Sequence, residues 1–316
     1  MNNPLLSIII PVYNRADLIE ETLESILCQT YTNWECILVD DWSTDDSLNV
    51  MQKYQKKDAR FKAFLRPIEL NKGANSSRNY GFLQAKGSYI KWFDSDDIML
   101  PNHLETACRI IILNRLDFVI TDLINFKHED GAILDKPYNF DRNKAVISAE
   151  NFALYRIGWT TVDFLGTREI VEKIKFNEYI VDGDEYNFFI KLLHQPCNGM
   201  FINELLTLRR IHSGCITIQN EQNKTGYLSI KAVIKFQTAN DLVVFNDYNL
   251  IRWFLSGYMH LAFSLANEKE FIPFCKPAFK LICKYYSFLK GCAFILALGS
   301  VKWFGKGYRI LKYARK

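Results

Sequence analysis

Between residues 5 and 121 short apolar, β-branched runs alternate with stretches whose apolar residues recur every three to four positions. The runs at 5–12 (LLSIIIPV), 34–40 (WECILVD), 61–66, 88–93 (SYIKWF) and 117–121 read as buried strands. Between them, 16–29 places Leu18, Ile19, Thr22, Leu23, Ile26 and Leu27 at helical spacing, and 44–57, 75–85 and 101–113 also read as helices, the last with Pro101 in its first turn. This alternation predicts an α/β fold, a doubly wound, mostly parallel sheet with helices on both faces. Ligands of such sheets sit beyond the carboxyl ends of the strands.

After residue 122 the pattern loosens. Residues 123–134 read as a hairpin around Asp130-Gly131, 184–194 as a helix, and 200–210 as one or two strands. From about residue 221 long apolar-rich helical stretches take over, so a boundary is expected near residue 220, with one domain over 1–220 and a helical C-terminal extension over 221–316. Charge divides similarly. No acidic residue follows Glu270, whereas ten Lys or Arg do, so residues 1–270 carry a formal −6 against the chain's +4. A basic tail on a mildly acidic body suits an anionic surface. The eight cysteines form no C-x-x-C pair, which argues against a zinc ribbon. The first apolar run reads as a strand rather than a signal peptide, and reduced thiols in a cytoplasmic protein are expected.

The chemistry gathers at strand ends. The second strand ends in Asp40-Asp41 and the fourth in Asp94-Ser95-Asp96-Asp97. One Asp-rich turn is ordinarily a helix cap or strand terminator. Two on one sheet point to a site, because carboxylates this close repel unless a cation lies among them. Hard oxygen donors at such spacing suit Mg²⁺ or Mn²⁺ bridging protein to a substrate phosphate. The loop Asn71-Lys72-Gly73-Ala74-Asn75 enters a helix bearing Arg78, an arrangement that can take phosphate. No G-x-G-x-x-G follows the first strand and no G-x-x-x-x-G-K-[ST] occurs, which argues against dinucleotide redox chemistry and P-loop hydrolysis.

These segments together resemble the family 2 glycosyltransferases, enzymes of the GT-A fold. Ser7–Asn14 resembles the family's opening strand, Val39–Asp45 its nucleoside-binding turn, Asn71-x-Gly73 with Arg78-Asn79-x-Gly81 its donor loop, and Phe93–Asp97 its D-x-D metal motif. The resemblance implies that Pro11 and Tyr13 line the base pocket, with Tyr13 on uracil, and that Asp41 accepts a hydrogen bond from the base. Arg78 would lie near the nucleotide, and Asp94 and Asp96 would frame ribose, diphosphate and metal. Gly183–Lys191 resembles the acidic acceptor-site motif. Counting back from Lys191 puts Glu185 at the general-base position, with Asp184 the alternative. Arg209-Arg210-Ile211-His212 resembles the late R-x-H segment, whose histidine approaches metal or diphosphate. Trp42 departs from the family, which usually has a small residue there.

The implied function is inverting transfer of a sugar from a nucleotide-diphosphate donor, a UDP-sugar, to a glycan or lipid-linked acceptor in cell-surface polysaccharide biosynthesis, with Mn²⁺ or Mg²⁺. Rival readings are a sugar-phosphate nucleotidyltransferase, which would need a Gly-rich loop where Tyr13–Asp17 stands, and a non-catalytic sugar-nucleotide-binding protein. Residues 291–301 (GCAFILALGSV) are too short to span a bilayer, for which about 20 residues are needed. With flanking lysines and aromatics they suit either a helix in the membrane interface, on the inner face of the cytoplasmic membrane, or a basic helical cap on the catalytic domain. Nucleic acid is not an expected partner, since no recognised binding module accompanies the charge.

Overall fold

The computed structural model of the chain describes residues 3–215 and 223–316. They form two compact units, Met1–Glu178 with Phe188–His212, and Tyr179–Asn187 with Ser213–Lys316. The expected boundary near residue 220 lies outside the described residues.

The first unit is built on an eight-stranded sheet in the order β3-β2-β1-β4-β7-β6-β8-β5. The strands are β1 (Leu6–Val12), β2 (Trp34–Asp40), β3 (Phe61–Leu65), β4 (Tyr89–Trp92), β5 (Ile98–Met99), β6 (Phe118–Lys127), β7 (Phe164–Thr167) and β8 (Gly199–Ile211). The helices are α1 (Ile19–Leu27), α2 (Ser47–Lys57), α3 (Ala74–Gln84), α4 (His103–Asn114), α5 (Ala149–Ala153), α6 (Arg168–Val171) and α7 (Asp184–Leu192), the last of which begins in the second unit. The sheet and its helices are a GT-A-type α/β fold.

Alternation along the central strands explains the two helical layers. Leu6, Ile8, Ile10 and Val12 of β1 and Trp34, Cys36 and Leu38 of β2 join one core with Ile19, Leu23 and Ile26 of α1, Met51 and Tyr54 of α2, and Leu104, Ala107 and Ile111 of α4. The intervening Ile9, Ile37 and Val39 meet α3 on the opposite face, at Gly81. A Cβ there would lie 2.6 Å from Ile9 Cγ2 and 3.2 Å from Val39 Cγ2, so glycine is what lets the helix settle on the strands. Burial on both faces is why these strands are apolar without a polar side.

The second half of the sheet departs from the simple alternation. The run at 117–121 extends into β6, which pairs antiparallel with β7, a strand the sequence reading does not contain. β7 also pairs antiparallel with β4, and β6 pairs parallel with β8. The 200–210 segment is a single strand with register shifts between Ile120 and Leu123 of its partner. Near Asp130-Gly131 the chain does turn back, with Lys127 N donating to Ala132 O at 2.9 Å and a bridge between Phe126 and Ile133. Pro101 precedes its helix, which starts at His103.

The second unit is helical, with α8 (Lys224–Asp241), α9 (Tyr248–Asn267), α10 (Cys275–Tyr285), α11 (Phe288–Phe304) and α12 (Tyr308–Arg315). α9 buries Leu250, Ile251, Phe254, Leu255, Tyr258, Met259, Ala262 and Leu265 at helical spacing and packs against α8, α10, α11 and α12. Asn187 Nδ2 donates to Thr238 Oγ1 at 3.2 Å and to Asp241 Oδ2 at 3.1 Å, joining the 179–187 segment to α8. Among the described residues, no helix is long and apolar enough to cross a membrane.

Candidate active site

β1 to β4 run parallel. β7 opposes both β4 and β6, and β8 follows β6, so β8 runs in the same direction as β1. Tyr13, Asp41, the 94–97 turn and His212 therefore all emerge at one edge of the sheet, although β8 lies far from β1 in sequence.

At the β1 and β2 ends the two loops are tied together. Thr44 N donates to Asn14 Oδ1 at 2.8 Å and Asn14 N to Ser43 Oγ at 3.0 Å. Arg15 N donates to Ser47 Oγ at 2.7 Å and Ala16 N to Asp45 Oδ2 at 3.0 Å. Asn14 and Trp42 both adopt left-handed backbone, φ 50 and 61, a conformation that Asn tolerates and that costs a bulky residue more. The indole N–H of Trp42 donates to Arg66 O at 3.0 Å, and the ring is half-exposed. Tyr13 is also half-exposed, with Lys72 Nζ 4.1 Å from its ring centroid, while Pro11 is partly buried in β1.

Asp41 is buried. One oxygen accepts from Arg66 and the other from Gly73 N at 2.8 Å. Gly73 has φ 138, which side-chain-bearing residues rarely adopt, so the loop reaches Asp41 only because glycine stands there. Asp41 thus holds the β2 end, the β3 end and the donor-loop entrance together.

Two of the acids of the 94–97 turn are paired with arginines. Asp94 Oδ1 pairs with Arg78 Nη2 at 2.8 Å, the guanidinium being buried and the carboxylate partly open. Arg78 Nη1 also donates to Asn75 Oδ1 at 3.3 Å. Asp96 Oδ2 takes Arg15 Nε at 3.0 Å and His212 Nε2 at 3.1 Å. Asp97 Oδ1 accepts from Arg210 N at 2.8 Å, and Arg210 Nε donates to Asp96 O at 2.8 Å. Burial pushes the Asp96 carboxyl up, but the His212 and Arg15 contacts outweigh it and leave it below the usual carboxylate range. Asp97 goes the other way, raised well above that range by burial and by the neighbouring Asp96 and Asp94. One turn therefore carries a part-buried anion and a fully buried acid that anchors β8.

Residues 7–154 match the model of the family described as Glycosyl transferase family 2. An uncharacterised glycosyltransferase of Haemophilus influenzae is 41% identical over 82% of this chain and 98% of its own length. The chain belongs to the family 2 glycosyltransferases. A Bacillus subtilis family member, TuaG, named for teichuronic acid biosynthesis, is 38% identical, and the match spans 42% of this chain and only 52% of that protein. The fold of this glycosyltransferase is similar to that of residues 1–349 of S. aureus TarS crystallised with UDP, at a TM-score of 0.59 and 17% identity, covering 98% of this chain and 86% of that one.

Among the described residues of this glycosyltransferase no three metal-binding side chains converge. Asp96 and His212 nevertheless offer a carboxylate and an imidazole 3.1 Å apart at the strand edge. A divalent ion that keeps most of its shell as phosphate and water needs only one or two protein ligands, and Asp96 supplies the oxygen donor such an ion takes, with the His212 imidazole beside it. Asp184 and Glu185 open α7, in the part of it belonging to the second unit. The sequence reading misses Arg15, Arg66 and Lys72. A signal for the two arginines exists in the need for one cation per crowded carboxylate, but nothing local distinguishes any of the three from a surface cation.

Proposed function

We propose that the chain transfers a sugar, with inversion, from a UDP-sugar to a hydroxyl of a glycan or lipid-linked acceptor in cell-surface polysaccharide synthesis. The carrying observation is the strand-edge assembly in which Asp96, held anionic between Arg15 and His212, lies on the same edge as Tyr13 and Asp41. The family supplies the reaction class, and the names of TuaG and of the UDP-bound TarS structure support the polymer and the donor. Tyr13 offers a half-exposed ring on which a uracil can stack. Asp41, fixed by Arg66 and the Gly73 N–H, sets the pocket wall and is the residue assigned to the base. Arg78 and Asp94 orient ribose and diphosphate.

In the transfer step the acceptor hydroxyl gives its proton to Glu185, or to Asp184, and its oxygen bonds to the anomeric carbon. The bond from that carbon to the diphosphate oxygen breaks, and the nucleoside diphosphate leaves with the electron pair. A divalent ion, Mn²⁺ or Mg²⁺, held by Asp96 and His212 would neutralise the charge that develops on the leaving group. The enzyme works peripherally on the inner face of the cytoplasmic membrane, where lipid-linked acceptors are presented.

Release of nucleoside diphosphate from a panel of nucleotide sugars, with Mn²⁺ and with EDTA, tests this reading. UDP-sugars should turn over and EDTA should stop them. Glu185→Gln should lower turnover by about 10²-fold with donor affinity unchanged, because a general base acts on the acceptor. That loss appearing in Asp184→Asn instead moves the base by one residue, and no loss in either removes the assignment.

A further inference from the structure

The helix α11 is apolar nearly all round, yet only one side of it is covered. Gly291, Phe294, Ala297, Leu298 and Val301 are buried, on one stripe of the helix. At 3.6 residues per turn, Phe288, Cys292, Ile295, Leu296 and Trp303 fall on the opposite stripe, and all five are exposed. Leu296 is 62% exposed and Trp303 79%, and the adjoining Leu289 and Phe304 are exposed at 67% and 77%. An all-apolar helix is ordinarily buried on every side, so a bare stripe along its whole length is a surface that lacks its neighbour.

The rim of that stripe says what the neighbour is. Lys302 and Lys306 lie at its C-terminal end, and Arg309, Lys312 and Lys316 continue along the exposed side of α12 beside Tyr308 and Tyr313. Ten Lys or Arg and no Asp or Glu follow Glu270, so no acidic side chain within the segment offsets them. A second copy would set its own cationic rim against this one, and two such rims repel. An anionic bilayer surface complements both features at once, apolar side chains toward the acyl boundary and Lys/Arg toward the headgroups.

We propose that the exposed stripe of α11, with the basic rim of α12, is a docking face for anionic phospholipid, lying in the membrane interface rather than crossing it. This deepens the peripheral-membrane part of the proposed function and rests on it, naming the surface and the lipid class. The test is co-sedimentation of the full chain with phosphatidylcholine vesicles with and without phosphatidylglycerol, at low and high salt. Binding should require phosphatidylglycerol and fall with salt. The variant carrying Leu296→Ser and Trp303→Ser, both at exposed positions, should bind about tenfold or more weakly, since each loses apolar burial in the interface. Val244→Ser, exposed elsewhere in the same unit, should bind as wild type. Thermal unfolding of each variant matching wild type confirms that the fold is retained.

Wild type remaining in the supernatant at low salt overturns both the membrane contact and this face. Wild type binding while the double variant binds equally well leaves the membrane contact and overturns the face. A wild-type dimer in velocity sedimentation that the double variant abolishes makes the stripe a self-association surface and also overturns it. Loss of diphosphate release with vesicle binding intact tells against the enzymatic reading and leaves the face standing.

Discussion

His212 Nε2 lies 3.1 Å from Asp96 Oδ2, the same oxygen that receives Arg15 Nε at 3.0 Å, although 116 residues separate the histidine from the aspartate. The contact depends on β8 running parallel to β6 and on Asp97 and the Asp96 carbonyl holding Arg210 two residues before the histidine. Asp96 is thus anchored at its main chain and open to a cation at its side chain. The arginine and histidine keep the carboxylate charged despite its burial.

Asp96→Asn should nearly abolish transfer, because it removes the charge that attracts a divalent ion while retaining shape. Folding should survive, since Arg210 bonds the Asp96 main chain and the Asp97 side chain rather than the Asp96 carboxylate. Turnover measured across a Mn²⁺ titration checks this. An Asp96→Asn protein with wild-type turnover in EDTA would remove the metal assignment.

Tyr13 and Asp41 should separate binding from stability. Tyr13 is half-exposed, so Tyr13→Ala should weaken UDP binding by about tenfold, the worth of a stacking contact, while stability stays within about 0.5 kcal/mol. Asp41→Ala should weaken binding too, but it also strands Arg66 in a site where the two side chains are 3% and 5% exposed. Breaking a buried pair from one side typically costs about 3–5 kcal/mol. Calorimetry with UDP and Mn²⁺, paired with urea unfolding, distinguishes the two residues. Equal stability loss in both variants would contradict the division of roles.

The first half of the sheet was legible because each central strand is apolar on both faces and each is followed by a helix at clear spacing. Trp34–Asp40 and Phe61–Leu65 fall within a residue of their expected bounds for that reason. β7 was not legible. Its four residues, FLGT, are too short to show a period, and they pair antiparallel between β4 and β6 only because the chain returns from a distant loop. The same limit applies to the site. The acids announce themselves by crowding, whereas Arg15 and Arg66 look like surface cations until the fold brings each against its carboxylate. Lys91 is the extreme case, one lysine inside an apolar strand and fully buried in the structure.

Lys91 should give the chain a distinctive alkaline stability profile. Its ammonium donates to the Val162 carbonyl, and burial lowers its pKa to about 7, against the opposing pull of Asp163 and Asp94. In the unfolded chain the lysine titrates near its ordinary value of 10.5. Between these limits the unfolded state therefore holds a proton that the folded state lacks, so this residue's contribution to stability rises with pH from about 7 to about 10. Asp163, raised to about 6 by its own burial, is already ionised in both states across that window and adds no slope there. Buried thiols and phenols elsewhere contribute slopes of their own, so the comparison must be differential. Stability of wild type relative to Lys91→Met, from urea unfolding at intervals between pH 7 and 10, should climb steadily with pH. Parallel profiles for the two proteins across the window would mean that Lys91 remains protonated in the folded chain, balanced by Asp163 and Asp94.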